Sequence, residues 1–274
     1  MMLEDHVGDV IHKARRTANV PEELASKTAG ISVNDLANLE ATGQIEKPVD
    51  WDRLAALVGL HGRKLALLAS GWSPARVDLA TWQELRQIIT TQEGNTVNCY
   101  LAWDPATRQA ALFDTGWMEA PVVELLQKYR LRLDHIFVTH HHHDHVAALD
   151  ALRRHAPSVQ FHSGLKSNSS KTRISPGDVV PIGNLHVCPR PTPGHSADSM
   201  IYLIENFPEN APPVAVVGDT LFAGSIGRGF QSADLLKTSI RAQIFSLPNN
   251  TLLCPGHGPL TTVGEQKDYN PFFG

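Results

Sequence analysis

The apolar, β-like stretch Asp134–Thr139 (DHIFVT) runs without a break into His140-His141-His142-His143-Asp144-His145. No other part of the 274-residue chain restricts its folding as much. A short apolar run bounded by polar residues reads as a buried strand, and this one delivers five imidazoles and a carboxylate at its end. Side chains alternate along extended backbone, so His140, His142 and Asp144 share one side. His145, opening the next helix, swings toward the same space. Neutral imidazoles and carboxylates are ligands for zinc, iron and manganese. Taken alone, the segment also reads as a solvated histidine-rich loop.

Three further segments favour the metal. His195 lies in TPGHSADS, Asp219 in VVGDTLF and His257 in CPGHGP, each directly after a β-like run. Each ligand is therefore expected on a tight turn at a strand's C-terminal end, with Gly194, Gly218, Gly256 and Gly258 letting the backbone bend closely around it. One Gly-His pair is weak evidence, but four ligand segments in this order are strong. His141 and His143 alternate with the ligands and should face away. His135, His155, His162 and His186 lack partner segments and read as ordinary surface or core residues.

The first 70 residues have a different pattern. Val7, Val10, Ile11 and Ala14 recur at helical spacing. Pro21 opens PEELASKTAG, Ser32 caps SVNDLANLEATG, Asp50 caps WDRLAALVGL, and GRKLALLASG follows. Five helices are expected, and Arg15–Gly43 (RRTANVPEELASKTAGISVNDLANLEATG) resembles the helix-turn-helix of phage-repressor-like regulators. Their recognition helices present Arg, Lys, Gln or Asn to bases. Ser32–Thr42 instead carries Asp35 and Glu40 and no Lys or Arg, and residues 1–70 hold eight basic against ten acidic groups. Phosphate neutralisation dominates non-specific affinity, so DNA binding is disfavoured and a packing or homodimerisation module is preferred. After the breakers Gly71 and Pro74, short apolar runs alternate with helical stretches such as Ala120–Tyr129 and the region near Asp234–Ser246. The expected division is a helical domain over 1–75 and a layered α/β domain over 76–274.

The remaining features bound the setting. The formal charge of −4 offers no general attraction to nucleic acid or anionic membrane. Three scattered cysteines, Cys99, Cys188 and Cys254, argue against a disulfide framework. The start MMLEDHVGDVIHKARR does not read as a signal peptide, and no apolar run approaches the roughly 18 residues of a membrane span. A cytoplasmic protein is expected.

Residues 80–274 resemble the metallo-β-lactamase superfamily, most closely its short glyoxalase-II-like members. The resemblance is carried by THHHHDH (139–145), PTPGHSADS (191–199), GDTLFAGSIGR (218–228), PGHGP (255–259) and TTVGEQKDYNPF (261–272). It implies an αββα sandwich with two divalent metal ions, zinc first and iron or manganese as alternatives, at one edge of the sheets. His140, His142 and His195 would hold one metal, Asp144, His145 and His257 the other, and Asp219 would bridge them. Asp144 and Asp219 would take part in catalysis, Asp114 in FDTG would stand behind the ligands, and Arg228 would meet an anionic end of the substrate. The double glycine usual after D-H is replaced here by Ala147-Ala148.

The resemblance implies hydrolysis of a small-molecule thioester, and two cations roughly 3.5–4 Å apart would supply the hydroxide by lowering the pKa of a bridging water. Asp219 separates the chain from true β-lactamases of the superfamily, where that position is cysteine or no ligand. Only Gly258–Gly274 follow His257, short of the helical substrate domain of full-length glyoxalase II. Two other functions fit the same residues. One is a persulfide dioxygenase with iron on His140, His195 and Asp219. The other is a metabolite-sensing, DNA-binding regulator.

Overall fold

The computed structural model describes residues 2–164, 175 and 177–274. It opens with five helices: α1 (Val7–Thr17), α2 (Glu22–Ala29), α3 (Val33–Thr42), α4 (Trp51–Val58) and α5 (Gly62–Ala69). Their ends follow from local chemistry. The Ser32 hydroxyl accepts from Asp35 N while the Asp35 carboxylate accepts from Ser32 N, closing a capping box. Asp50 accepts from Arg53 N at the start of α4. Pro21 proves to be the residue before α2 rather than its first turn. Val10, Ile11, Ala14, Leu36, Leu39, Leu54 and Leu65 turn inward and are buried.

Two sheets follow. The first contains β1 (Leu85–Gln92), β2 (Asn95–Trp103), β3 (Gln109–Phe113), β4 (Arg132–Val138) and β5 (Gln160–Ser163), in that spatial order. Helix α6 (Ala120–Tyr129) joins β3 to its parallel neighbour β4. Helices α7 (His143–Val146) and α8 (Leu149–His155) join β4 to the parallel β5. Six strands make the second sheet: β6 (Val180–Ile182), β7 (Leu185–Pro191), β8 (Met200–Glu205), β9 (Val214–Gly218), β12 (Leu252–Pro255) and β13 (Thr261–Thr262). The small hairpin β10 (Leu221–Phe222) and β11 (Ser225–Ile226) follows β9. Helix α9 (Ala233–Gln243) precedes β12, and α10 (Val263–Tyr269) follows β13.

Alternation along the strands produces the layers. Tyr100, Phe113 and Phe137 of the first sheet meet Val187, Tyr202, Ile204 and Val216 of the second in a shared apolar interior. Leu101, Leu112, Ile136 and Val138 face the other way, onto Val122 of α6 and Leu152 of α8. On the far side Ile201, Leu203, Ala215 and Leu253 face Leu236 and Ile240 of α9. The result is the expected αββα arrangement preceded by helices. Among the described residues no helix is long and apolar enough to cross a membrane, and the three cysteines are free thiols.

The five helices are continuous with this outer layer. Leu36, Leu54 and Leu65 belong to the same apolar cluster as Leu203, Leu236, Phe272 and Phe273. Polar bonds reinforce the contact. The Lys64 ammonium donates to Lys267 O and Phe273 O at 2.7 and 2.6 Å. His61 N donates to Pro271 O at 2.8 Å, and Trp72 stacks on Tyr269 with centroids 5.1 Å apart. Five of the eight basic groups of residues 1–70 are engaged within the chain: Lys13, Arg15, Lys47, Arg53 and Lys64.

Candidate metal centre

Strand β8 pairs antiparallel with both β7 and β9, and β9 pairs parallel with β12. Strands β7, β9 and β12 therefore run the same way and end at one edge. His195, Asp219 and His257 follow those three ends, and His140–His145 follow the end of β4 in the facing sheet. The crevice beyond the carboxyl ends of strands is the usual ligand position in sheets of this kind. Gly218, at φ +49°, lets the chain turn where a side chain would collide with Thr139. A Cβ on Gly256 would collide with Asp219 Oδ1.

The seven candidate ligands assemble into two groups. His140, His142, His195 and Asp219 form one, and Asp144, His145 and His257 the other, with donor atoms in each group within 4.8 Å of one another. Asp219 faces both. Its Oδ2 lies 3.8 Å from His140 Nε2 and 3.7 Å from His195 Nε2. Its Oδ1 lies 3.3 Å from His145 Nε2 and 3.5 Å from His257 Nε2.

Most of the imidazoles are held by their far nitrogen, which fixes the lone pair pointing inward. His195 Nδ1 donates to Arg228 O at 2.8 Å, and His257 Nδ1 donates to Thr96 O at 2.6 Å. Asp114 Oδ2 accepts from His145 Nδ1 at 2.7 Å and from the Thr139 hydroxyl at 2.8 Å, while its Oδ1 accepts from Thr139 N at 2.7 Å. Thr139 Oγ1, its proton committed to Asp114, accepts from His140 Nδ1 at 3.1 Å.

These bonds leave an arrangement that a protein on its own would not favour. His140 Nε2, His142 Nδ1 and His195 Nε2 lie 2.9–3.2 Å from one another, and at least two of them meet as bare lone pairs. His145 Nε2 and Asp219 Oδ1 are buried without a hydrogen-bond partner. Buried polar atoms are normally satisfied. Imidazole and carboxylate donors converging in this way fit divalent cations. Electrostatics agree for His140 and Asp219. Burial, with His145 beside it, pushes His140 down to about 2, keeping it neutral as a ligand must be. Burial alone would raise the Asp219 carboxyl, but His145, His257 and His140 hold it well below the carboxylate range. The second group differs: against their own burial, His257 is lifted to about 9 by Asp144 and Asp219 and His145 is raised by Asp114 and Asp219, so that without a cation these two imidazoles carry the positive charge a metal would replace.

Other sequence expectations fall out unevenly. His141 and His143 do face away from the cluster, toward Asp198 and Trp117. Ala147 and Ala148 both have negative φ, so their backbone does not require the glycines usual there. Arg228 is exposed, and its assigned part is its carbonyl, which any residue would supply. The carbonyl of Thr96 is likewise invisible to motif reasoning. The exposed Phe230 ring stands 5.9 Å from that of His142 and 5.5 Å from that of His195. Its place at the end of the Gly-rich run beside Arg228 was the available signal.

Residues 93–257 match the metallo-β-lactamase superfamily. The chain belongs to that superfamily. A hydroxyacylglutathione hydrolase of Cyanothece sp. is 33% identical over 168 residues, covering 58% of this chain and 62% of its own length. The chain thus spans under two thirds of that relative. Among solved structures, the BLEG-1 B3 metallo-β-lactamase superposes with a TM-score of 0.58 at 29% identity, covering 69% of this chain and 98% of its own. ETHE1 from Myxococcus xanthus does so with a TM-score of 0.58 at 32% identity, covering 68% and 83%. This superfamily member therefore combines the metallo-β-lactamase fold with a His/Asp metal-binding cluster.

Proposed function

We propose that this protein is a dinuclear, metal-dependent hydrolase of thioesters. The observation that carries the reading is Asp219, whose two oxygens are divided between two donor groups and so offer two cations a shared carboxylate. Two divalent ions bound there supply hydroxide near neutral pH and an electrophilic contact for a carbonyl oxygen. The residues of the chain provide the preorganisation. His145, His195 and His257, braced by Asp114, Arg228 O and Thr96 O, keep their inward nitrogens fixed in place, so little rearrangement accompanies reaction. Asp144 Oδ2, 3.3 Å from His257 Nε2, stands ionised beside His257 and completes the second donor group with His145. Phe230 offers an apolar surface beside His142 and His195, and Arg228 next to it offers a contact for an anionic group. No cysteine joins either donor group, and all three thiols are raised above their ordinary range, Cys99 and Cys254 by burial and Cys188 by burial and Glu205. The name of the Cyanothece relative supports a thioester as substrate.

A second reading rests on the likeness to ETHE1 and on His140, His195 and Asp219 alone, whose atoms converge as a 2-His-1-carboxylate triad. It would make the chain a mononuclear iron persulfide dioxygenase. Metal quantification combined with thioester, lactone, phosphodiester and β-lactam substrates decides between them. Close to two metals per chain and thioester turnover that disappears in His142→Ala are expected. One iron per chain, with oxygen uptake on glutathione persulfide, would sink the hydrolase reading.

For residues 1–75 we propose a packing role, with a homodimer contact as its extension. The internal engagement of five of eight basic groups supports this over a DNA-binding regulator. Retention on heparin and a gel shift at low salt would reverse the preference.

A further inference from the structure

His141 stands between two candidate ligands but belongs to neither donor group. Its ring turns outward, edge-on to Phe161 at 6.2 Å, and Nδ1 donates to Asp198 Oδ2 at 2.7 Å. Asp198 Oδ1 also accepts from the hydroxyl of Ser196, the residue after His195. Ser196 N in turn donates to Ser199 Oγ at 3.1 Å, which closes the 195–199 turn on itself.

Two separate loops furnish the three-histidine group: 139–145 after β4, and 192–199 between β7 and β8. Backbone and tyrosine bonds join them at their bases, Met200 N to Thr139 O and Tyr202 OH to Val138 O, both at 2.8 Å. The His141–Asp198 bond joins them further out. It lies one residue from both His140 and His142, and three from His195.

We propose that His141 and Asp198 form a clamp that presets the three-histidine half of the metal centre. Ligands drawn from two loops must lose relative motion when they close on a cation, and a bond already made removes that cost before binding. Groups that hold ligands from behind ordinarily influence metal affinity about 10–100-fold. The Asp144, His145 and His257 group has further supports in Asp114 and Thr96 O, neither of them bonded to His141 or Asp198, so the clamp acts chiefly on the three-histidine half. The inference rests on the cluster being a metal centre, and it is independent of the substrate.

The test uses the full chain, stripped of metal and titrated with Zn²⁺ against a chromophoric chelator. Co²⁺ spectra serve as a second readout. His141→Ala and Asp198→Ala should each weaken one of two metal equivalents by about 10–100-fold and the other distinctly less. The double variant should be no worse than either single one, because both remove the same bond. His141→Asn, whose amide nitrogen can take the place of Nδ1, should restore the affinity. It also serves if the alanine variants fail to fold. Unchanged affinity in both alanine variants would overturn the clamp. So would equal weakening of both equivalents, or a His141→Asn variant as poor as His141→Ala. A wild-type chain that takes up no metal would overturn the metal centre itself, and the clamp with it.

Discussion

The helical region and the ligand edge of the sandwich both bury charged and polar groups, but they treat them in opposite ways. Among the helices each buried charge is answered. The Arg15 guanidinium bonds both oxygens of Glu40 at 2.6 and 2.7 Å and also reaches Val20 O and Glu22. Lys64 is met by two carbonyls. At the ligand edge, imidazole nitrogens crowd together and His145 Nε2 and Asp219 Oδ1 are left without partners. An unpaired buried donor or acceptor costs about 1–3 kcal/mol. A set of them persists where a ligand is meant to complete it. Satisfied charge marks the part that holds the molecule together, and unsatisfied charge marks the part that acts.

The sharpest way to break this contrast is Asp219→Ala. It removes the carboxylate shared by both donor groups and should lower kcat/KM for the responsive thioester by about 1,000-fold, ~4 kcal/mol in barrier. Without metal the change in stability should be small beside this, because the unsatisfied Oδ1 leaves together with the favourable charges of His145, His257 and His140 that keep the carboxyl ionised. A large loss of metal-free stability would show that Asp219 is structural and that the contrast fails.

Arg15→Ala probes the opposite region. It strands the Glu40 carboxylate in a largely buried position, and breaking such a pair costs about 3 kcal/mol. The measurement is denaturant unfolding, and metal stoichiometry should remain that of the wild type. Weakened metal binding with stability intact would invert the roles assigned to the two regions. Next in size is Asp114→Asn, which exchanges an acceptor of three bonds for an amide. Metal affinity at the His145 group should fall about 10–100-fold by chelator competition, and an unchanged affinity would reduce Asp114 to a turn residue.

The same contrast explains what could be read in the sequence. All seven candidate ligands are chemically distinctive side chains following apolar runs, so their types and order were visible before any fold. Strands β2 (Asn95–Trp103) and β7 (Leu185–Pro191) and helix α6 (Ala120–Tyr129) were legible too, since each carries its full pattern locally. The small strands β5, β10, β11 and β13 were not, because two to four residues are too few to show a period. The braces on the ligands were hidden for another reason. Arg228 O and Thr96 O are backbone atoms that every sequence possesses, and His141 meets Asp198 across 57 positions. The docking of α1–α5 against the sandwich was equally out of reach, because it depends on distant segments such as α5 and α10 coming together in one apolar cluster only after both regions have folded.

The smallest effect concerns acid. Burial alone would raise the Glu40 carboxyl, but hydrogen bonds from Arg15 and His12 hold it below the ordinary glutamate range. A carboxyl with a depressed folded-state value binds its proton more weakly in the native chain than in the unfolded one. Its contribution to stability is therefore complete above the ordinary range, near about 4.3. It is lost as the pH falls through the lower folded value. Unfolding followed over that window should show the wild type weakening on acidification, and Glu40→Gln, which has no proton to gain, should show a flatter profile from a lower starting stability. Metal-depleted protein is the right material, because metal release on acidification would otherwise add an acid dependence of its own, while the free ligand groups titrate alike in both proteins and cancel in the comparison. Parallel profiles for the two proteins would mean that the Arg15–Glu40 pair does not sense acid, and that the helical region's charges are satisfied in geometry but not in energy.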